Sequence, residues 1–133
     1  MTYTLVCVEP RRVREVLPMV HEMLGDAYHY GEAEVPPIEM FNSGNVLLWI
    51  AWGEEGKILA AANTQLVRSK AGLSCKLTAV AGLAFDRWRS ALGRIEQYAR
   101  DEGCYRLTFE GRLGWERLLP EFRRVAVIME KRI

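Results

Sequence analysis

Cysteine is scarce in this chain: Cys7, Cys75 and Cys104 are three scattered residues among 133. They are too few for a disulfide framework and form no C-x-x-C pair. Each lies among apolar neighbours, and neither histidine, His21 nor His29, stands at metal-ligand spacing from acidic or thiol partners. Buried, reduced thiols are the expectation, and no metal is expected. Charge excess is missing too. Lys and Arg number 18 against 17 Asp and Glu, a net charge of +1, which leaves no electrostatic footprint for nucleic acid or an anionic membrane. Apolar runs such as Val46–Trp52 fall far short of the ~20 residues of a membrane span. The first residues reach Glu9 too soon for a signal peptide. Repeats and low-complexity linkers are also lacking, so residues 1–133 are expected to form a single domain that is soluble and made in a cytoplasm.

Half the residues are hydrophobic, and their spacing carries the fold. Thr2–Val8 reads as a strand. Pro10 suits the first turn of a helix in which Val13, Val16, Leu17, Val20, Met23, Leu24 and Ala27 recur at helical spacing. Pro18 lies inside that pattern and should kink or split it. Gly25 to Pro37 is a polar stretch, followed by at most a short helix at Ile38–Phe41 and a turn at 42–45. Val46–Trp52 and Lys57–Val67 flank Gly53-Glu54-Glu55-Gly56 and read as an antiparallel hairpin. A second turn at 69–72 leads to a third strand, Leu73–Leu83, with Leu73, Cys75, Leu77, Ala79 and Ala81 alternating. Asp86 is the expected N-cap of a helix whose apolar face is Trp88, Ala91, Leu92, Ile95, Tyr98 and Ala99, ended by Gly103. Cys104–Glu110 returns to strand. Trp115, Leu118 and Leu119 predict a short helix ending at Pro120, and Val125–Met129 a last strand.

Three stretches in this order resemble the GCN5-related N-acetyltransferase (GNAT) superfamily, over nearly the whole chain. They are Trp49–Ala61, with its acidic-glycine turn; Ile95–Leu107, a helix end and the strand after it; and Trp115–Phe122 followed by Val125–Lys131. A nearer likeness is to short acetyltransferase-like proteins encoded by phages and prophages. The resemblance implies an α/β (α+β) fold: a mixed, mainly antiparallel sheet with a central splay and helices on both faces.

That family binds acetyl-coenzyme A where two strands splay, with a glycine-rich loop that brings backbone amides to the pyrophosphate at a helix N-terminus. Here the corresponding stretch, Val80–Leu92, holds Gly82 at the strand end and then Phe85, Asp86 and Trp88 in place of glycines. Asp86 is placed to cap the amides a phosphate would need, and its carboxylate would repel an anion. Leu83, Arg87 and Arg89 remain as cofactor-binding candidates, with Arg94 on the same helix, though arginines there also suit a solvated face. The family's acid, a tyrosine on the last short helix, falls near Trp115, whose indole N–H cannot protonate a thiolate. Glu110, ending a strand beside Gly111, is the candidate general base; a solvated strand-end carboxylate is the plainer reading. Tyr28 and Tyr30 fall in the loop that covers the acceptor in that family. Ser43, Ser69, Ser74 and Ser90 sit in no nucleophile-elbow context.

Two functions follow as expectations. The first is a non-catalytic protein without cofactor, a phage-associated structural or assembly component in the bacterial host cytoplasm or the virion. It would bind phage structural proteins or itself, and neither nucleic acid nor membrane. The second is a divergent acyltransferase using acetyl-coenzyme A.

Overall fold

The structure is a computed structural model describing residues 3–28, 34–82, 85–110 and 115–133, with backbone alone at 85–88 and 115. Strand β1 spans Thr4–Cys7 and helix α1 spans Val13–Tyr28, after a 3₁₀ turn at Pro10–Arg12. A second 3₁₀ turn, Ile38–Ser43, precedes β2 (Val46–Trp52), β3 (Ile58–Ser69) and β4 (Gly72–Ala81). Helix α2 (Phe85–Asp101), β5 (Arg106–Phe109) and α3 (Trp115–Leu118) follow. The strands form one sheet in chain order, β1 to β4 antiparallel and β5 parallel to β4. The parallel step requires a crossover, which α2 supplies.

Both faces of the sheet are covered, so the interior strand β2 is apolar throughout. In β2, Val46, Leu48 and Ile50 join the cluster under α1, while Leu47, Trp49 and Ala51 join the one under α2. Helix α1 contributes Val13, Val16, Leu17, Val20, Leu24 and Tyr28, one stripe at helical spacing, with Phe41 beside it. From α2 come Ala91, Leu92 and Ile95, joined by Leu119. The expected two-faced architecture is present, although the splay lies between β4 and β5, at one end of the described sheet.

Four details differ from the sequence reading. Pro18 does not split α1: it lies on the exposed side, as does Arg14, whose carbonyl is the one left without a donor by the proline. The helix runs on through Gly25 to Tyr28, because Leu24 and Tyr28 still have core to meet. Helix α2 begins at Phe85, which puts Asp86 one residue inside it rather than at the cap. Finally, Val125–Met129 forms no strand; these residues are exposed and without regular secondary structure.

Candidate functional site

The register between β3 and β4 slips once. Asn63 pairs with Ala79 and Thr64 with Leu77, so Thr78 is an extra residue, a bulge on β4. Its effect on the faces is visible: Leu77 belongs to the α2-side core and Ala79 to the α1-side core, although they are two residues apart. The alternation of Leu73 through Ala81 predicted a single face for all five, and the bulge reverses it after Leu77.

The ladder to β5 ends at the same level. Pairing of β4 with β5 runs from Ser74 opposite Arg106 to Leu77 opposite Phe109 and stops there, while β4 continues to Ala81. Beyond the fork, residues 79–81 pair with β3 on one side and with no strand on the other among the described residues. Three residues after Gly82 the 17-residue helix α2 begins, so its N-terminus lies at the wide end of the fork. A strand edge with amide and carbonyl groups beside a helix N-terminus suits an extended, amide-bearing ligand with an anionic end.

Beneath the bulge lies a buried polar cluster. Tyr28 Oη is 3.0 Å from Asn63 Oδ1 and 2.8 Å from Thr78 Oγ1; Thr78 Oγ1 is 3.2 Å from the Asn63 carbonyl oxygen; and Asn63 Nδ2 donates to the Leu47 carbonyl at 3.3 Å. The two hydroxyls bring two protons to three contacts, so the proton arrangement can alternate while the heavy atoms stay fixed. Burial pushes Tyr28 above the ordinary tyrosine range, partly offset by the Thr78 hydrogen bond, so the phenol stays protonated at neutral pH. On the opposite face Trp49 Nε1 donates to Thr64 Oγ1 at 2.9 Å, with the Tyr98 ring edge-on at 5.3 Å and Arg94 stacked 5.8 Å above. Asn63 and Thr78 were not singled out in the sequence. Their signal was there to read: Asn63 follows the apolar run 58–62 and Thr78 precedes the apolar run 79–81.

The structure disperses the sequence candidates. Glu110 follows the last residue of β5, at the narrow end of the fork, where Lys76 Nζ donates to its Oε1 at 2.9 Å. Arg89 donates to the Leu118 carbonyl oxygen, tying α2 to the end of α3. Leu83 lies outside the described residues, as do the side chains of Phe85, Asp86, Arg87, Trp88 and Trp115. His29 and Tyr30 are outside them too, and His21 is exposed on α1. Tyr28 belongs to the core instead of a covering loop. Gly82 has φ 105°, and a β-carbon there would lie 2.4 Å from the Leu59 carbonyl oxygen and 2.7 Å from Ala60 Cα. Packing against β3 therefore requires this glycine, independent of any ligand. The four serines serve local structure: Ser43 donates to the Met40 carbonyl, Ser69 to Gly72, Ser74 to Val67, and Ser90 is 2.8 Å from Tyr3 Oη. All three cysteines are free thiols, each pushed upward by burial, Cys75 to about 12. Among the described residues no set of three or more His, Cys, Asp or Glu could hold a metal, and no helix is long and apolar enough to cross a membrane.

No protein-family model matches the sequence, and no curated protein does. Solved structures match over nearly the full length. An aminoglycoside acetyltransferase from an uncultured soil metagenomic sample, in complex with trehalose, shares 9% identity at a TM-score of 0.71, covering 98% of this chain and 96% of its own. Glucosamine-6-phosphate N-acetyltransferase from Arabidopsis thaliana shares 14% at 0.66, over 99% of both chains. A predicted acetyltransferase with acetyl-CoA from Clostridium acetobutylicum shares 12% at 0.67, over 98% and 96%. At these identities the likeness is one of fold. The chain has the GNAT-like acetyltransferase fold, and its β4–β5 fork is the part of that fold the sequence reading identified with coenzyme binding.

Proposed function

We propose that this chain is a divergent acyl-coenzyme A-dependent N-acyltransferase. The observation that carries the reading is the fork: the β4–β5 ladder stops at Leu77, level with the bulge at Thr78, and residues 79–81 lead on toward the start of α2 with no strand on that side among the described residues. The pantetheine arm of coenzyme A is an extended chain with two amides, which a strand edge can pair like another strand. Its phosphates would lie toward α2, where Arg87 offers charge in place of the absent glycines. Acetyl transfer needs an amine nitrogen to attack the thioester carbonyl, the C–S bond to break, the amine to lose a proton and the thiolate to gain one. Glu110, at the narrow end of the fork, is the group we assign to the amine's proton. Lys76 Nζ, 2.9 Å from its Oε1, holds that carboxylate in place.

The fold comparisons support this reading, including one structure solved with acetyl-CoA. The competing expectation, a phage-associated structural component without cofactor, rests on the composition of residues 83–92 and gains no support from them. Titration with acetyl-coenzyme A separates the two. A ligand at 100 times its dissociation constant stabilises the protein by about 2.7 kcal/mol, a clear rise in melting temperature. No stabilisation at millimolar acetyl-coenzyme A refutes the proposal. Given binding, Glu110→Gln is expected to lower kcat roughly 100-fold with the affinity for acetyl-coenzyme A unchanged.

A further inference from the structure

Six carboxylates form ion pairs among the described residues, and five of them take arginine: Glu9, Glu15, Glu96, Glu116 and Glu130. Glu110 is the one among them paired with an amine, the Nζ of Lys76 at 2.9 Å. The difference is chemical. A guanidinium keeps its proton in proteins and is no acyl acceptor, whereas a lysine that loses its proton is a primary-amine nucleophile. The pair also stands where the two strands part. Lys76 lies opposite Thr108, one step before the last rung of the β4–β5 ladder, Leu77 opposite Phe109, and Glu110 is the next residue of the chain. Leu77, Leu107 and Phe109 belong to the α2-side core, so Lys76 and Glu110 share the other face. Their side chains stay open to solvent there, 38% and 46% exposed. On that face Tyr28, the last residue of α1, meets Thr78, two positions beyond Lys76.

We infer that Lys76 is itself an acyl acceptor: the chain transfers an acetyl group from acetyl-coenzyme A to its own Lys76 Nζ, with Glu110 taking the amine's proton. The inference rests on the acyltransferase reading and gives that site a second, internal substrate. The step balances. Lys76 gives one ammonium proton to Glu110, which releases it to solvent. The neutral Nζ bonds the thioester carbonyl carbon, the C–S bond breaks, and the nitrogen's second proton goes to the departing thiolate. The products are an acetyl-lysine, the coenzyme A thiol and one proton. Two observations favour the internal amine. Ammonium and base are already in hydrogen-bond contact, at a distance suited to proton transfer. The pair is also easily opened, because a half-exposed ion pair between two flexible side chains is weak. The freed amine, on a four-carbon stem, can then swing toward a thioester lying along the open edge of β4. Acetylation cancels the Lys76 charge and leaves the Glu110 carboxylate without this partner.

Incubating the full chain with acetyl-coenzyme A and mapping the acetyl groups by peptide mass spectrometry tests this. The chain's other lysines, Lys57, Lys70 and Lys131, are exposed and serve as internal controls, because uncatalysed acetylation favours them. Lys76 is expected to be labelled at least ~10-fold faster than any of them, at a rate independent of protein concentration. Excess coenzyme A should suppress the Lys76 label and spare the other three. Glu110→Gln should slow labelling of Lys76 roughly 100-fold. Without a base role for Glu110, the same substitution would free the amine and speed its labelling. Lys76 labelled no faster than the exposed lysines, labelled at a rate that climbs with protein concentration, or unaffected by Glu110→Gln overturns the inference. Melting curves with acetyl-coenzyme A on the same samples keep the two proposals apart. Stabilisation without Lys76 labelling refutes self-acetylation and leaves the acyltransferase reading standing, whereas neither stabilisation nor labelling refutes both.

Discussion

Replacing Gly82 and Gly93 by alanine in turn sets the same chemical change in two opposite environments. At Gly82 the backbone has φ 105°, which costs an L-residue about 1–3 kcal/mol. The new β-carbon would also meet the Leu59 carbonyl oxygen at 2.4 Å and Ala60 Cα at 2.7 Å, both backbone atoms of the buried strand β3 that cannot rotate away. Relief requires β3 or the end of β4 to move, which is overpacking worth a further ~1–3 kcal/mol. Against this, alanine restricts the unfolded chain and returns about 0.4–1 kcal/mol. The net loss is about 2–5 kcal/mol. Gly93 lies within α2 with nothing inside 4 Å of the position, so alanine there should stabilise by about 0.5–1 kcal/mol through helix propensity. Urea unfolding followed by tryptophan fluorescence measures both. A Gly82→Ala protein within about 0.5 kcal/mol of the parent, an ordinary surface effect, would refute the claim that β3 dictates this glycine.

Tyr28→Phe should cost about 1–3 kcal/mol, because it strips a partner from Asn63 Oδ1 and Thr78 Oγ1 beneath the bulge; an unchanged urea midpoint would show that the cluster contributes nothing. Alkaline pH should destabilise the fold in a defined window. The Cys75 thiol, ordinarily near 9.0, is held up to about 12 by burial and by Cys104, so its contribution is complete below pH 9 and is lost as pH rises toward 12. Tyr28 and Tyr98, both raised by burial, add to the loss above pH 10, their ordinary value. Cys75→Ala should flatten the first part of that decline, and a parent whose stability does not fall from about pH 9 to 11 would contradict the assignment.

Much of the fold was legible because burial imposes period on sequence. The stripe Val13–Leu24 and the apolar run Val46–Trp52 gave α1 and β2 with their bounds nearly right, and turn residues gave both hairpins. The errors share one cause, contacts that no local pattern records. Pro18 is tolerated because it faces water. Tyr28 stays helical because its hydroxyl has Asn63 and Thr78 to reach. Val125–Met129 has strand composition but pairs with no strand among the described residues. The candidate site was legible only in outline: the end of β4 and the helix after it could be read, yet the bulge at Thr78 was hidden inside an alternation that looked regular. Glu110 is paired with Lys76. Arg89, by contrast, holds the end of α3.

The bulge at Thr78 acts on β4 as a one-residue change of reading frame. Before it, odd-numbered residues look toward α2; after it they look toward α1, and the buried environments downstream are assigned accordingly. Deleting Thr78 would restore an unbroken register, with Leu77 opposite Thr64 and Ala79 opposite Asn63, and would leave Ala79 facing α1 and Val80 facing α2. What it would remove is the hydroxyl that meets Tyr28 and the Asn63 carbonyl. The extra residue is thus spent on one buried contact, and the frame on either side of it is already the one an unbulged strand would have.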